Sequence, residues 1–384
     1  MPYVVKPGVI GVAIMPRIEG DGRSLEELLY DATQAVLKDA GITIEDVDGI
    51  VVASNDQYDG RAISIMAASG SVGGVDRDIL STPSAGEHAF VLGALRVACG
   101  QYRTQLVVSW SPTEASSIPE AQRLAADPYF HRRLPMDEQA SHALQASALM
   151  AQVPGLDAAA QAVLRKNRAN GGRAYPDLVQ APAQSGKPTR WPLPADSMAP
   201  PVTGVVAILL AGEDFVREQG RTDTAWIAGM GWTTEPAFLG DRDLGEAPAL
   251  REAARQAYAE AGIDSPLDSV QVAEISDATP FQELMAYEAL GLAPRGEWAA
   301  LSEDNRFGAN GSLPVNLSGG VTCLNPVFCT GLIRIAEVAN QVRGRAGRHQ
   351  KAGVKRGLAQ ASSGMAMQYQ TVIVFDREEK GAAA

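Results

Sequence analysis

The chain repeats a pattern of one helix followed by one strand, and this repeat restricts the fold more than any other feature. The segment Asp31–Ile42 ends in Ala-Gly-Ile and leads into the β-branched run at 48–54. The segment Glu252–Ile263 also ends in Ala-Gly-Ile and leads into the run Asp-Ser-Val-Gln-Val-Ala-Glu-Ile at 268–275. A glycine directly after a helical pattern is a typical helix C-terminus. The two segments therefore predict two copies of one helix–strand unit.

A strand precedes each copy, and a second pair of similar segments follows it. The second pair is Gly-Ala-Leu-Arg-Val-Ala at 93–98 and Gly-Leu-Ile-Arg-Ile-Ala at 331–336. The order strand, helix, strand, helix, strand thus occurs twice. Such alternation predicts an α/β fold with helices on both faces of the sheet, and the duplication predicts two halves packed face to face. The flanking strands are predicted at Val9–Met15, Gln105–Trp110, Ala225–Gly231 and Thr371–Asp376.

A segment without a counterpart interrupts the first copy. It covers about 112–201, is rich in proline and alanine, and contains helical patterns near 137–151 and 157–170. Insertions of this length in a compact domain are often functional. We therefore predict an N-terminal half that includes a cap-like insertion and a C-terminal half without one. The predicted boundaries of these halves are 1–215 and 216–384.

The composition excludes several classes of function. The 384 residues carry a net charge of −12 without a basic run, which argues against a nucleic-acid partner. No apolar run reaches the roughly 20 residues of a membrane helix, and the first residues lack the layout of a signal peptide. Three cysteines and four histidines argue against a disulfide framework and a histidine-rich metal site. We expect a cytoplasmic protein without a bound metal.

The segment Ser318–Val342 predicts a helix N-terminus at a functionally useful place. Gly319 and Gly320 end an extended run, the Asn325-Pro326 turn follows, and an apolar helix begins near Thr330. Free backbone N–H groups at a helix start stabilise an anion, such as the developing oxygen of an attacked thioester carbonyl. A glycine-rich turn before an ordinary core helix explains the same pattern.

These features resemble the thiolase superfamily, most closely the sterol-carrier-protein-2 type. The resemblance covers nearly the whole chain and implies duplicated βαβαβ halves packed as a five-layer αβαβα sandwich with an inserted cap. It also implies a coenzyme A thioester as substrate or ligand, with no tightly bound cofactor. Lys166 and Arg168 match the family's insertion loop near the CoA nucleotide, although solvated charges on a helix explain them as well. The resemblance rests on the repeat and on the segments Lys166–Asn170, Glu283–Leu292, Leu313–Gly320 and Asn325–Gly331.

The residues that carry thiolase chemistry are replaced in this chain. The family's Cys-Ser-x-Gly run corresponds to Pro83–Gly86, so Pro83 stands at the position of the nucleophile. The Gly-His-Pro run corresponds to 324–326, so Asn325 stands at the position of the activating histidine. A His-Asp pair corresponds to Ser276-Asp277, and the C-terminal cysteine falls near Gln360. Proline and asparagine supply neither a thiolate nor its base, which argues against the ordinary thiolase reaction.

Five side chains are candidates for other chemistry. Ser84 and His88 are four residues apart and share a helix face, so His88 is a candidate base for Ser84 or for substrate. A capping serine and an ordinary helix histidine are the alternative. Asp277 is a candidate substrate base or a helix N-terminal anion. Asn316 and Asn325 are candidates for polarising a carbonyl group, or they are turn residues.

The sequence leaves two classes of function open. The first is an enzyme that acts on an acyl-CoA thioester at the β-carbon without a cysteine nucleophile, either as a retro-aldol-type lyase or as a noncanonical acyltransferase. The second is a catalytically inert binding or scaffold subunit of a heteromeric complex. Thiolase-like proteins of this type often pair with a small zinc-ribbon/OB-fold protein, and the resemblance implies such a partner as well as a homodimer.

Overall fold

The computed structural model describes residues 4–17, 20–60, 63–113, 117–134, 136–178, 190–194, 197–302 and 305–378. Within these ranges, nine strands form one mixed sheet. The strands are β1 (Pro7–Pro16), β2 (Gly49–Ala53), β3 (Asp78–Thr82), β4 (Thr104–Ser111), β5 (Gly204–Gly212), β6 (Ala225–Thr234), β7 (Val272–Ile275), β8 (Arg356–Ser363) and β9 (Tyr369–Asp376). Their order in the sheet is β3-β2-β4-β5-β1-β6-β9-β8-β7.

The two halves of the sheet share one topology. In the first half, β2 is parallel to β3 and β4, and β5 is antiparallel to β4 and β1. In the second half, β7 is parallel to β8, and β9 is antiparallel to β8 and β6. A single parallel bridge between Ala273 and Val315 takes the place of β3 in the second half. The halves meet where Gly8 and Val9 pair with β6.

Helices cover both outer faces of the sheet and also fill the space between its halves. Of these, α5, α6 and α7 belong to the predicted insertion. The helices of the described residues are α1 (Leu25–Ala40), α2 (Asp56–Asp59), α3 (Ser64–Ser71), α4 (Gly86–Ala98), α5 (Ile118–Ala125), α6 (Glu138–Gln152), α7 (Leu156–Ala174), α8 (Glu213–Glu218), α9 (Pro248–Ala261), α10 (Pro266–Ser269), α11 (Pro280–Ala289) and α12 (Thr330–Arg343).

Three buried apolar clusters hold these layers together. One packs α1 and α3 against the first half of the sheet, and another packs α6, α7, α9 and α11 against the second half. The third lies between the halves and contains residues of α4 and α12 together with strand residues from both halves. Phe90 of α4, for example, meets Phe375 of β9 with ring centroids 6.1 Å apart. The five-layer αβαβα sandwich expected from the sequence is therefore confirmed.

The repeated helix ends also form as expected. Ser24 caps α1 by accepting from the Glu27 N–H, and the Glu27 side chain accepts from the Ser24 N–H, which completes a capping box. Gly41 ends α1 and Gly262 ends α9, and both have a left-handed backbone with φ of 66°. Because only glycine adopts this conformation without a steric cost, the two Ala-Gly-Ile segments mark equivalent helix ends.

A close packing contact between β6 and α9 gives a test of this architecture. A β-carbon at Gly231 would lie 2.0 Å from the carbonyl oxygen of Ala253, so Gly231→Ala should destabilise the protein by about 1–3 kcal/mol. Gly172→Ala in α7 is the matched control, since no atom lies within 4 Å of its added β-carbon. The control should gain about 0.5–1 kcal/mol from helix propensity. Urea unfolding measures both, and equal free energies for the two variants would contradict the packing.

Candidate active site

Two adjoining cavities lie at the starts of the two central helices. The first cavity has a volume of about 430 Å³ and includes Asn325 and Thr330 in its wall, next to the start of α12. The second has a volume of about 640 Å³ and includes Pro83 and Ser84, just before α4. The two cavities share the wall residues Gln122, Glu138, Val327, Ser363 and Gly364. The positions of the family's nucleophile and activating histidine thus face neighbouring spaces.

Both helix starts are without a side-chain cap. Ala85 precedes α4 and Cys329 precedes α12, and neither side chain accepts a backbone hydrogen bond from its helix. The helices are in close contact, because a β-carbon added at Gly86 would lie 2.8 Å from Leu332 Cβ. Uncapped N–H groups and the positive ends of two helix dipoles therefore converge near the cavities. This arrangement favours an anion in the adjacent space.

Ser84 and His88 lie together, as their spacing suggests. Ser84 precedes α4 rather than lying in it, and its Oγ is hydrogen-bonded to His88 Nδ1. The His88 ring meets the Tyr369 ring edge-on with centroids 5.5 Å apart, and Tyr369 lines the second cavity. The pair therefore stands beside the second cavity. A catalytic role for the Ser84–His88 pair remains a prediction.

Asp277 holds the turn that leads to Asn325. The carboxylate is fully buried and accepts hydrogen bonds from Val321 N at 2.5 Å, Thr322 Oγ1 at 2.6 Å and Asn167 Nδ2 at 2.7 Å. Burial, followed by the nearby charge of Glu283, raises the pKa of Asp277 to about 7. Its sequence neighbours Ser276 and Ala278 line the first cavity, but the Asp277 carboxylate is directed into the protein. The Asp277 carboxylate therefore positions this turn through its hydrogen bonds and does not face the cavity.

Asn316 and Lys166 are bound to a buried carboxylate, that of Glu283. Asn316 Nδ2 donates to Glu283 Oε2 at 2.8 Å, and Asn316 Oδ1 accepts from Ile275 N at 2.8 Å. Lys166 Nζ lies 2.8 Å from Glu283 Oε1 and donates to Val315 O at 3.0 Å. Neither residue is part of the two cavity walls. This differs from the carbonyl-polarising and CoA-binding roles expected from the sequence, because these polar groups satisfy one another in the interior.

Arg168 and Asn325 complete the set of predicted residues. Arg168 is half-buried on α7, outside both cavity walls, and its charge acts on the thiol of Cys323. Asn325 lines the first cavity, and its Nδ2 donates to Ala199 O at 3.0 Å. An amide nitrogen carries two hydrogens, and the second hydrogen of Asn325 has no acceptor among the described residues. Ser84 and Asn325 thus line the two cavities and His88 is bonded to Ser84, whereas Asp277, Asn316, Lys166 and Arg168 are outside the described walls.

The sequence did not single out two titratable residues of the insertion that reach the cavities. Glu138 lies in the wall shared by both cavities, and His142, one turn later on α6, lines the first. Burial, followed by the nearby charge of Asp137, raises the pKa of Glu138 to about 7. Burial lowers the pKa of His142 to about 4, and its Nδ1 has no hydrogen-bond partner among the described residues. Glu138 is thus poised for proton transfer near neutral pH, and His142 is a neutral imidazole.

The spacing of Asp137, Glu138 and His142 indicated part of this arrangement. The sequence predicts a helix from about 137, and Asp137 does cap α6 by accepting from Ala140 N at 2.8 Å. Residues four apart share a helix face, so Glu138 and His142 had to point the same way. No local pattern indicates that this face meets the central helix starts.

Two of the three thiols, those of Cys323 and Cys329, are placed for packing. Cys329 is fully buried, and burial raises its pKa. Cys323 donates to Asn167 O at 3.4 Å, and burial raises the pKa of its thiol to about 12. Neither cysteine lies in the described walls of the two cavities. A thiolate nucleophile is therefore absent from these walls, since a reactive cysteine needs a lowered pKa and access.

Thiol labelling tests this placement. At pH 7.5 in native buffer, Cys99, the exposed thiol, should react rapidly with iodoacetamide, whereas Cys329 should react only after unfolding. Peptide mass spectrometry after timed quenching gives the rate at each cysteine. Labelling in urea is the control for intrinsic reactivity. Rapid modification of native Cys329 would contradict its burial and would reopen the question of a sulfur nucleophile.

Sequence comparison gives matches to part of the chain. The family model for thiolase C-terminal domain-like proteins matches residues 232–377. Human sterol carrier protein 2 is 35% identical over 167 residues, which cover 41% of this chain and 30% of that protein. The acetyl-CoA acetyltransferase of Methanothermobacter thermautotrophicus is 32% identical over 168 residues, or 44% of this chain and 43% of that protein. The chain therefore spans less than half the length of these curated relatives.

Structural comparison extends the similarity to nearly the whole chain. The Ltp2-ChsH2(DUF35) aldolase aligns with a TM-score of 0.80 and 20% identity over 97% of both chains. At this identity the alignment shows a shared fold. No helix of the described residues combines the length and apolar character needed to span a bilayer. Together, these comparisons show a segment similar to the thiolase C-terminal domain at 232–377 and a fold shared with that neighbour over nearly the whole chain.

Proposed function

We propose that this protein breaks or forms the carbon–carbon bond at the β-carbon of an acyl-CoA thioester without a cysteine nucleophile, as a retro-aldol-type lyase. The observation that carries the proposal is the position of Glu138. Its carboxyl group lies in the wall common to both cavities, next to two uncapped helix starts, and its pKa is raised to about 7. Retro-aldol cleavage needs a base for a hydroxyl group and stabilisation of an enolate, and these groups supply both.

The reaction can be followed atom by atom. The Glu138 carboxylate takes the proton of a β-hydroxyl group, and the oxygen forms a carbonyl group as the Cα–Cβ bond breaks. The electron pair of that bond moves to Cα and the thioester oxygen as an enolate. The second amide hydrogen of Asn325 and the N–H groups at the start of α12 stabilise the enolate oxygen. Protonated Glu138 then returns the proton to Cα, which gives a shortened acyl-CoA and an aldehyde or ketone.

His142 contributes polarity without charge. It lines the first cavity, is almost fully buried, and leaves Nδ1 without a partner among the described residues. A neutral imidazole pairs with one polar group of a bound ligand, such as a hydroxyl or an amide of the pantetheine arm. An unpaired polar group costs free energy in an apolar wall, so ligand binding satisfies it.

Two named relatives support the choice of reaction. The structural neighbour with the same fold over 97% of both chains is an aldolase, and retro-aldol cleavage is the reverse of aldol addition. The benzoylsuccinyl-CoA thiolase subunit BbsB of Thauera aromatica, 29% identical over 154 residues, is named for a CoA thioester. We assign the same class of ligand to this chain.

A substrate panel tests the proposal. Purified protein is incubated with saturated acyl-CoA, β-ketoacyl-CoA and β-hydroxyacyl-CoA esters, and the products are followed by mass. The β-hydroxyacyl esters should give a shorter acyl-CoA and a carbonyl compound, while β-ketoacyl esters with free CoA should remain intact. Thiolysis of the β-ketoacyl esters would show ordinary thiolase chemistry instead. Absence of turnover, with or without co-purified proteins, would end the proposal of an enzyme.

A non-catalytic subunit is the second candidate. The observation that favours it is the heteromeric name of the structural neighbour, which joins Ltp2 to ChsH2(DUF35). Such a subunit would only bind CoA thioesters or scaffold a partner, either a zinc-ribbon/OB-fold protein or a catalytic one. It would bind the ester tightly, and the activity of the complex would be the same after Glu138→Gln or His88→Ala. Co-purification followed by native mass spectrometry identifies bound ester and partner together, and light scattering measures whether the chain forms the homodimer expected from its family resemblance.

A further inference from the structure

A buried cluster of four ionisable side chains lies outside both cavities. Arg334 and Glu337 belong to α12, Glu274 belongs to β7, and His349 lies in the short turn that follows α12. We call these four residues the α12 cluster. Arg334 is paired with Glu274, and His349 Nε2 lies 2.8 Å from Glu337 Oε2. None of the four is part of the described cavity walls, so the proposed chemistry leaves this cluster without a role.

The α12 cluster is electrically balanced only when His349 carries a proton. The two carboxylates, Glu274 and Glu337, are 0% and 1% exposed, and Arg334 supplies one buried positive charge against them. The imidazolium of His349 supplies the second. Burial alone would lower the pKa of His349, but its hydrogen bond with Glu337 and the charge of that carboxylate raise the pKa above its ordinary value. Because an uncompensated buried charge is costly, the folded cluster favours the protonated imidazole.

Ionisable groups face His349 from three elements. Glu337 and Arg334 lie on α12, Glu274 lies on β7, and Tyr175 lies at the end of α7. The Tyr175 and His349 rings have their centroids 5.7 Å apart, and Tyr175 Oη donates a hydrogen bond to Glu337 Oε1. One carboxylate therefore joins His349 to the end of a helix of the inserted segment.

The same end of α7 packs against the glycine turn that follows the Ala273–Val315 bridge. A β-carbon at Gly319 would lie 2.5 Å from Gly171 Cα, and Asn170 Nδ2 donates to Asn316 O at 2.9 Å. Both contacts lie within about one and a half helical turns of Tyr175. Loss of the attachment between Tyr175 and α12 should therefore loosen this packing as one local unit.

We propose that His349, Glu337 and Tyr175 form a proton-dependent latch that fastens the end of α7 to α12. With His349 protonated, Glu337 is paired on one side and holds Tyr175 on the other. Without that proton, the α12 cluster carries an unbalanced negative charge, and the attachment weakens. Since the pKa of His349 is higher in the folded than in the unfolded protein, the latch is complete below about pH 6.5 and is lost as pH rises through the folded value.

Hydrogen exchange followed by mass spectrometry tests the latch. Peptides that cover residues 167–178 are compared at pH 6 and pH 8.5, with rates corrected for the intrinsic effect of pH. Wild-type protection there should fall about 10- to 100-fold between the two values, as expected for a lost hydrogen bond to a charged group. His349→Gln keeps a hydrogen-bonding side chain without the charge, so its protection should be low at both values. Tyr175→Phe should lower protection at 167–178 while leaving peptides within 330–343 unchanged.

Arg348→Gln is the matched control. Arg348 is the cation next to His349, is exposed, and forms no ion pair with any residue that the structure describes, so this variant should follow the wild type at both pH values. Equal wild-type protection at pH 6 and pH 8.5 would overturn the inference, even if His349→Gln fails to fold. A uniform fall across the whole chain would overturn it too, because it would show general destabilisation. The latch does not depend on the proposed reaction, and the substrate panel tests that reaction separately.

Discussion

Replacing Glu138 with glutamine should lower kcat/KM for a β-hydroxyacyl-CoA by about 10²- to 10⁴-fold, the usual contribution of a general base. Glutamine keeps the size of the side chain and accepts a hydrogen bond from Gln122 as the carboxylate does. It cannot take a proton from the substrate. Steady-state rates, with mass detection of both products, measure the change. The control is Glu120→Gln on α5, an exposed carboxylate whose ion pair with Arg123 is 3.9 Å long.

The pH dependence distinguishes a lost base from a damaged fold. With the pKa of Glu138 near 7, wild-type kcat/KM should rise about tenfold per pH unit below 7 and level off above it. The Glu138→Gln profile should be flat in this range. The raised pKa also means that Glu138 stabilises the folded state fully below pH 4.5 and loses that contribution as pH rises toward 7. The variant should therefore be at least as stable as the wild type at pH 8, and full activity in Glu138→Gln would remove the proposed base.

Removing Arg334 should cost about 3–5 kcal/mol of folding free energy, because it leaves a buried carboxylate without its counter-ion. Arg334 on α12 is 1% exposed, and its Nη1 donates to Glu274 of β7 and to Ser318 Oγ at 2.7 Å. Glu274 Oε1 also accepts from Ser318 N at 2.9 Å. In Arg334→Met the side chain fills a similar space without charge. Urea unfolding followed by circular dichroism gives the free energy.

A double variant separates the ion pair from the packing. Glu274→Gln combined with Arg334→Met removes both charges, so it should recover much of the stability lost in Arg334→Met alone. Arg217→Met is the surface control: Arg217 pairs with Glu213 at 2.7 Å in solvent, and its loss should change stability by less than about 1 kcal/mol. A cost below 1 kcal/mol for Arg334→Met would show that Glu274 finds another partner or a proton.

The fold could be predicted because its signals are local and occur twice. The Ala-Gly-Ile segments mark equivalent helix ends at Gly41 and Gly262, and a helix begins at Thr330 as the apolar spacing indicates. The spacing of Ser84 and His88 predicts a shared helix face, whereas Ser84 precedes α4 and meets His88 through a hydrogen bond. Hydrogen bonding along the chain and apolar periodicity depend on neighbouring residues, so a single sequence carries them.

The cavity walls could not be predicted in the same way. Glu138 reaches the helix starts only because α6 packs across the second half of the sheet, and that contact depends on residues far apart in the chain. Lys166, Asn316 and Asp277 have the chemistry of ligand-binding groups, but the fold directs the first two to the buried Glu283 carboxylate and the third to a backbone N–H group. Polar residues in a motif do not reveal whether their partner is a substrate or the protein itself, since this depends on burial.

The two ends of the sheet differ, and this restricts how copies of the chain can join by adding strands. At one end β3 is mostly exposed and pairs on one side with β2. At the other end the outward N–H groups of β7 are already occupied: Ala273 N donates to Pro314 O at 3.0 Å, and Ile275 N donates to Asn316 Oδ1 at 2.8 Å. If two copies paired through their β3 strands about a two-fold axis, neither copy would have a free β3 edge left. The assembly would therefore close after two copies and would not grow into a filament.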